Sequence, residues 1–177
     1  MAAQPAQPAH DHQALIDALA APLREAASAD LADPAAARSA LRRAWAPEGP
    51  DGRALRAALV AALAAGTICD RGPPECRYSR LLKAEPGAGG APGHGFSVDL
   101  VCMTAPGPRH KHPRGEVNLC FALEGAPRFD GQPEGWVVFP PGSEHVPTVT
   151  GGQMLIAYFL PGGAIEWTGA PAAGKGG

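Results

Sequence analysis

The sequence has little net charge and no long apolar run. Its 15 Lys+Arg and 17 Asp+Glu residues give a formal charge of −2 and form no block of like charge. The electrostatic signature of a protein that binds nucleic acid or anionic lipid is therefore missing. No apolar stretch approaches the roughly 20 residues that span a bilayer. These absences favour a small neutral or anionic ligand and argue against nucleic-acid and membrane partners.

The four cysteines include no pair at CxxC spacing, and the opening stretch "MAAQPAQPAHDHQ" lacks the basic and apolar regions of a signal peptide. We therefore expect reduced thiols and a cytoplasmic location. The 23 glycines and 20 prolines are a composition shared with disordered chains, but the hydrophobic fraction of 45% predicts a folded core. A chain of 177 residues suits one domain, or one domain with an appendage.

Residues 1–66 are predicted to form a helical N-terminal region, because apolar residues recur there at helical spacing in three groups. Asp33 and Asp51 are suitable N-caps, and Pro34 suits a first helical turn. These helices carry no polar cluster. We interpret them as a cap that packs on the second half of the chain or on a second subunit.

Residues 67–168 have a hydrophobic period of two, in short runs punctuated by glycine and proline. No helical segment intervenes, so an antiparallel sandwich or barrel is favoured over a parallel sheet. The predicted fold class is α+β, mainly β: a helical region followed by an antiparallel β-barrel, with a flexible tail at 169–177. The candidate strands are "RYSRLLKA", "GFSVDLVCMT", "EVNLCFALEG", "GWVVFPPG", "HVPTVTGG" and "MLIAYFLP".

The stretch "PRHKHPRGEVNLC" contains the candidate metal ligands His110, His112 and Glu116. Residues two or four apart on a strand point to the same face, so the three side chains share one side. Imidazole nitrogens with one carboxylate oxygen suit Fe, Mn, Ni, Co or Zn. A fourth ligand, His145, follows the turn in "PPGSEH". The alternative is that these are structural histidines without a metal.

Two spacings in this region resemble the two motifs of the cupin superfamily. The first is the HxHxxxE of His110, His112 and Glu116, and the second is the PxGxxH that ends at His145. The resemblance implies that the three histidines and the glutamate bind one divalent metal ion inside a small cupin-like antiparallel barrel at residues 67–168. The sequence departs from the cupin pattern at Gly125, which follows the glutamate late, and at Val149, which replaces an asparagine.

Longer segments of the sequence make the resemblance more specific. "HPRGEVNLCFALEGAPRFDG" (112–131), "GWVVFPPGSEHVPTV" (135–149) and "YFLPGGAIEW" (158–167) are similar to the bacterial 4-hydroxylaminobenzoate lyases. That similarity implies conversion of 4-hydroxylaminobenzoate to 3,4-dihydroxybenzoate and ammonia, with His112 and Glu116 as catalytic residues and a homodimer as the assembly. The alternatives are a metal-dependent cupin oxygenase or isomerase acting on another small aromatic acid, and a non-catalytic small-molecule-binding cupin.

A benzoate substrate also needs a cation for its carboxylate and an apolar surface for its ring. Arg77 and Arg80 lie on the "RYSRLLK" strand and are the candidates for the cation, although a solvated strand face is the simpler interpretation of each. Tyr78 and Trp136 are the candidate ring contacts, although aromatic residues of this kind more often belong to the core.

Overall fold

The computed structural model describes residues 12–85 and 92–169. Its N-terminal part contains α1 (Gln13–Ala27), α2 (Pro34–Ala44) and α3 (Pro50–Ala64). Asp33 caps α2, since its side chain accepts a hydrogen bond from the Ala36 backbone N–H. Asp51 lies inside the first turn of α3, and the N-cap there is Gly49. None of the helices in the described ranges is long and apolar enough to cross a membrane.

The C-terminal part is built from antiparallel strands. The strands are β1 (Cys76–Leu82), β2 (Phe96–Met103), β3 (His110–His112), β4 (Glu116–Phe129), β5 (Gly135–Phe139), β6 (Ser143–His145), β7 (Val149–Pro161) and β8 (Glu166–Trp167). A five-stranded sheet has the order β1-β2-β7-β4-β5, and a three-stranded sheet has the order β6-β3-β8. The sheets are two separate hydrogen-bonded layers and do not close into one continuous barrel, but the antiparallel, mainly β class with N-terminal helices is confirmed.

The three helices pack on one face of the five-stranded sheet. Leu19 and Leu59 of the helices are fully buried in the same apolar cluster as Leu100, Leu119 and Phe159 of the strands. Within this chain the helical region is therefore a cap on the β half, as one of the two interpretations predicts. α3 ends at Ala64 and β1 begins at Cys76, on either side of the predicted change of period. The domain boundaries themselves stay predictions.

The opposite face of the same sheet has its own apolar cluster, which includes Cys120, Phe129, Ile156 and Tyr158. The short β3 and β6 lie against this face, because the ring of Phe129 contacts the ring of His145 at a centroid distance of 6.2 Å. We call this side the histidine face and the other the helix face. All four cysteines are free thiols.

A break predicted between two strands is absent, because one continuous strand spans it. "HVPTVTGG" and "MLIAYFLP" were expected as two strands, but β7 runs from Val149 to Pro161, and its pairing with β4 shifts register on either side of Gly125. A Cβ at Gly152 would lie 2.0 Å from the Glu124 carbonyl oxygen, so glycine there permits two backbones to approach. The turn-like composition marks a bulge. Apart from Gly169, the predicted tail lies outside the described residues.

Candidate metal centre

Three histidines meet where β3 pairs with β6. His110 and His112 are two apart on β3 and are both buried, as expected for side chains on one inward face. The antiparallel register places His145 of β6 directly opposite His110. Gly142 precedes β6 with φ of 80°, a conformation that favours glycine and that turns the chain back toward β3.

The ring nitrogens of these histidines converge. His145 Nε2 lies 3.0 Å from His112 Nε2 and 3.2 Å from His110 Nε2. Two nitrogens bound to one ion at about 2.1 Å, and about 90–100° apart at the ion, are separated by about 3.0–3.2 Å. Among the described residues this group of three fits a metal ion, its ligand atoms lying within 4.8 Å of one another. The set suits a divalent transition metal.

The hydrogen bonds on the far side of two rings fix which nitrogen carries the hydrogen. Nδ1 of His110 lies 2.9 Å from the Pro108 carbonyl oxygen, and Nδ1 of His145 lies within hydrogen-bond distance of Asp130 Oδ2. Both partners only accept, so both Nδ1 atoms donate and both Nε2 atoms present lone pairs. Two lone pairs 3.2 Å apart repel unless a cation lies between them. The protein thus presents its nitrogens in the form that binds a metal.

Burial favours the neutral form of His110 and His112. Desolvation lowers the pKa of His112 to about 3 and lowers the pKa of His110, and the neighbouring histidines act in the same direction. A protonated imidazole cannot bind a metal, so a lowered pKa keeps the lone pairs available in mildly acid solution. Phe139 adds an aromatic wall, with its ring 4.3 Å from that of His145, centroid to centroid.

Asp130 is a residue of this centre that the sequence analysis did not single out. Its Oδ2 accepts from His145, its Oδ1 accepts from the Thr148 backbone N–H at 2.7 Å, and its own N–H donates to the Thr148 carbonyl at 2.9 Å. The carboxylate is therefore fixed, and it fixes the His145 ring in turn. The sequence signal was the Asp-Gly pair in "RFDGQ", which is more readily interpreted as a turn.

Glu116 lies on the other side of the His112 ring from the converging nitrogens. It is fully buried, its Oε1 accepts from Asn118 Nδ2 at 2.7 Å, and its Oε2 is 3.4 Å from His112 Nδ1. Desolvation raises the pKa of this carboxyl well above its ordinary value. Within the described part of the chain, His112 Nδ1 and Glu116 Oε2 are buried atoms that lack a hydrogen-bond partner. The fourth-ligand role of Glu116 stays a prediction, since the structure brings together three ligands.

Two of the predicted substrate contacts lie on the helix face. Trp136 packs edge-on against the ring of Trp45 and donates from Nε1 to the Trp45 carbonyl oxygen. Arg77 is paired across the sheet with Cys102, which belongs to the helix-face cluster, and its Nε donates to the Cys69 carbonyl oxygen. The sheet separates both side chains from the three histidines.

The other two predicted contacts lie on the histidine face. Arg80 pairs in register with Asp99, and Asp99 pairs with Tyr158, which belongs to the histidine-face cluster. The Arg80 guanidinium forms an ion pair with the Asp99 carboxylate at the exposed edge of the sheet. Tyr78 has the same parity on β1 and is 47% exposed.

Trp167 is a further aromatic residue that the sequence analysis did not single out. It lies on β8 opposite His110, and its ring centroid is 5.3 Å from that of His110. Its side chain is 63% exposed, whereas Trp45 and Trp136 are buried. An aromatic surface therefore lies open to solvent beside one of the three histidines.

Comparisons with known proteins identify relatives of this chain. The 4-hydroxylaminobenzoate lyase of Pseudomonas putida is 35% identical over 77 residues, which cover 41% of this chain and 44% of the relative. The 4-hydroxylaminobenzoate lyase of Nocardioides sp. (strain LMS-CY) is 33% identical over 86 residues, 44% of this chain and 51% of that protein. The chain therefore spans about half the length of the curated relatives it matches.

Among solved structures, a cupin-like protein from Thermotoga maritima is 20% identical, with a TM-score of 0.35, over 56% of this chain and 84% of that one. The family model described as "PnbB: 4-hydroxylaminobenzoate lyase" matches residues 23–167, which include both histidine motifs and most of the helical cap. This match confirms the resemblance found in the sequence. The chain belongs to the 4-hydroxylaminobenzoate lyase family.

Proposed function

We propose that this protein is a metal-dependent lyase that converts 4-hydroxylaminobenzoate to 3,4-dihydroxybenzoate and ammonia. The observation that carries the proposal is the convergence of three imidazole nitrogens, 3.0 and 3.2 Å apart, in a member of this family. One water added to the substrate accounts for every product atom, so the reaction consumes no dioxygen. The chemistry requires loss of the hydroxyl from nitrogen, addition of water to the ring and hydrolysis of an imine.

His110, His112 and His145 are the proposed ligands. Their nitrogens would hold a divalent ion, with Fe, Mn, Ni, Co and Zn as candidates; such an ion would supply Lewis-acid chemistry and would lower the pKa of water to about 7 in favourable cases. The chain's own residues orient the ligands: Asp130 holds His145, and the Pro108 carbonyl holds His110. Burial excludes water from the rings of His110 and His112.

Glu116 is the proposed proton carrier. Burial raises the pKa of this carboxyl well above its ordinary value, which favours the protonated form and suits exchange of a proton with a neighbouring base or with substrate. Its Oε1 is oriented by Asn118, which leaves Oε2 directed at His112. In this role Glu116 acts as a general acid or base, and the role as a fourth ligand is the alternative.

For the substrate we propose Arg80 as the carboxylate partner and Tyr78 and Trp167 as the aromatic contacts. The support is that Arg80 and Tyr78 share the histidine face, and that Trp167 contacts His110. Arg80 must exchange its Asp99 partner for the substrate carboxylate. Arg77 and Trp136 are assigned to packing against the helices, because their side chains bond to backbone carbonyls on the helix face.

We also propose that the protein is a cytoplasmic homodimer and that its substrate is a small aromatic carboxylate. The four free cysteines suit a reducing compartment. Two other functions use the same ligands: an oxygenase or isomerase acting on another aromatic acid, and a non-catalytic binding protein.

The deciding experiment incubates the purified protein, loaded in turn with each candidate metal, with 4-hydroxylaminobenzoate. Ammonia and 3,4-dihydroxybenzoate are measured, with an oxygen electrode in the same vessel. We expect equal amounts of both products, no oxygen uptake, and loss of both products in His112→Ala with the circular dichroism spectrum unchanged. Strict oxygen dependence, or full activity of His112→Ala after complete metal removal, would contradict the proposal.

A further inference from the structure

An open cleft lies on the helix side of the molecule. It has a volume of about 780 Å³ and lies between α2, α3 and the end of the β4–β5 hairpin. Trp136 and Phe121 of the helix-face cluster line it, together with Cys120 at the end of the β4–β5 pairing, and its lining includes none of the three histidines. The volume is within the range of small-molecule sites in proteins, about 300–1,000 Å³. We call it the arginine cleft.

Four arginines line the cleft: Arg38 and Arg42 from α2, and Arg53 and Arg56 from α3. Like charges at i,i+4 and i,i+3 spacing on a helix repel each other, and here the two pairs face one space. The carboxylates in the lining are Glu48 and Glu134. Four guanidinium groups against two carboxylates leave an excess of two positive charges in the cleft, in a chain whose formal charge is −2. Positive charge is therefore concentrated in this cleft, although the chain as a whole has a small negative charge.

Internal hydrogen bonds hold the guanidinium groups in position. Arg38 donates from NH1 to Gln132 Oε1 at 2.6 Å, and Arg56 donates from NH2 to the Ala122 carbonyl oxygen at 2.6 Å. Both acceptors are neutral, so these bonds orient the two cations without neutralising them. A guanidinium carries five N–H donors, and one such bond leaves donors for a ligand.

The two carboxylates neutralise only part of this charge. Glu48 Oε1 accepts from Arg42 at 2.6 Å and 3.0 Å, which forms one ion pair at the exposed rim. Glu134 Oε2 accepts from the Ala122 backbone N–H at 3.0 Å. Arg53 donates to the Glu48 carbonyl oxygen at 2.5 Å. Arg38, Arg53 and Arg56 thus all bond to neutral oxygens.

We propose that the arginine cleft binds a small organic anion that carries two or more negative charges. Guanidinium forks match carboxylate and phosphate oxygens in pairs, so the ligand is a polycarboxylate or a phosphate ester. Several arginines around one cavity suit a multiply charged ligand better than a monocarboxylate such as benzoate. None of the three histidines lines the cleft, so the proposal does not depend on the lyase chemistry.

The test is calorimetric titration of the full-length protein, freed of divalent metal because both probes chelate metals, with pyrophosphate and separately with citrate. Ionic strength is held at about 0.15 M to screen diffuse attraction. The test variant is the double substitution Arg38→Gln with Arg56→Gln, because glutamine keeps an N–H donor for each neutral acceptor and removes both charges. The matched control is Arg43→Gln, an exposed arginine of α2 that does not line the cleft.

We expect saturable binding of at least one probe and a loss of about tenfold or more in affinity in the double variant. Arg43→Gln and His145→Ala should bind as the wild type does. Preference for pyrophosphate identifies a phosphate ester as the ligand class, and preference for citrate identifies a polycarboxylate. Should the double variant unfold, Arg56→Lys keeps the charge without the fork and is expected to lose part of the affinity. Failure of both probes to bind at millimolar concentration, or an equal loss in Arg43→Gln, overturns the proposal.

Discussion

The two faces of the five-stranded sheet are both buried but serve different ends. Along β4 the side chains of Val117, Leu119 and Phe121 point to the helix face and pack in the larger apolar core. The side chains that alternate with them, Glu116 and Asn118, are equally buried and lie on the histidine face. One strand therefore supplies apolar packing to one side and polar chemistry to the other. Side chains that alternate along a strand can therefore belong to two different buried regions, and need not divide a buried region from solvent.

The comparison predicts that substitutions on the histidine face abolish metal binding while those on the helix face reduce stability. The largest expected effect is that of His145→Ala, which removes a nitrogen that approaches both other Nε2 atoms. We expect no measurable binding of Zn²⁺ or Mn²⁺, with the melting temperature of the metal-free protein close to that of the wild type, because His145 lies on the short β6 and belongs to neither apolar cluster. Retained stoichiometric binding, measured by calorimetry, would remove His145 from the ligand set.

On the helix face the expected loss is stability. Leu59→Ala should lower the free energy of unfolding by about 2–5 kcal/mol, because Leu59 is fully buried between α3 and the sheet. Urea denaturation measures the change, and metal affinity of the folded protein should not move. Leu63→Ala on the same helix, where the side chain is partly buried, is the matched control and should cost clearly less. A cost at Leu59 no larger than that at Leu63 would contradict the deeper packing of Leu59 against the sheet.

Substitutions of Asp130 test whether a residue that orients a metal ligand is as important for metal affinity as the ligand itself. Asp130→Asn keeps an acceptor for His145 Nδ1 but removes the charge, and Asp130→Ala removes both. We expect metal affinity to fall by about tenfold and about 100-fold respectively, the range found for outer contacts of metal ligands. Asp70→Asn, at an exposed aspartate, is the control. Affinities that do not differ from wild type would make Asp130 a turn residue only.

The smallest effect concerns Glu116 and the pH dependence of stability in the metal-free protein. Its folded pKa is raised above the ordinary value of 4.5, so above pH 4.5 the unfolded state releases a proton that the folded state retains. Wild-type stability should therefore fall relative to Glu116→Gln as pH rises from 4.5 to the folded pKa. Urea denaturation of both proteins across this range measures the difference. A constant difference would mean that Glu116 is already ionised in the fold.

Much of this architecture could be predicted from the regular spacing of apolar and polar residues along the chain. The spacing of His110 and His112 predicts one face of a strand, and β3 has that arrangement. Arg77 and Arg80 show where prediction of the site from the sequence fails. Residues three apart on a strand point to opposite faces, and only Arg80 lies on the histidine face. The "TGG" of residues 150–152 looked like a turn between strands, yet pairing with β4 absorbs it as a bulge.

The sequence by itself determined the local order: three helices before a run of antiparallel strands, two histidines sharing a face, and a third after a glycine turn. The hydrophobic period and glycine backbone preferences act within a few residues, so these features can be predicted without knowledge of long-range contacts. Only the tertiary structure decided which face of the sheet the helices cover, that Asp130 holds His145, that Trp167 lies beside His110, and that four arginines surround one cleft. These pairings depend on strand register and on how helices pack on the sheet, which the spacing of residues along the chain does not specify.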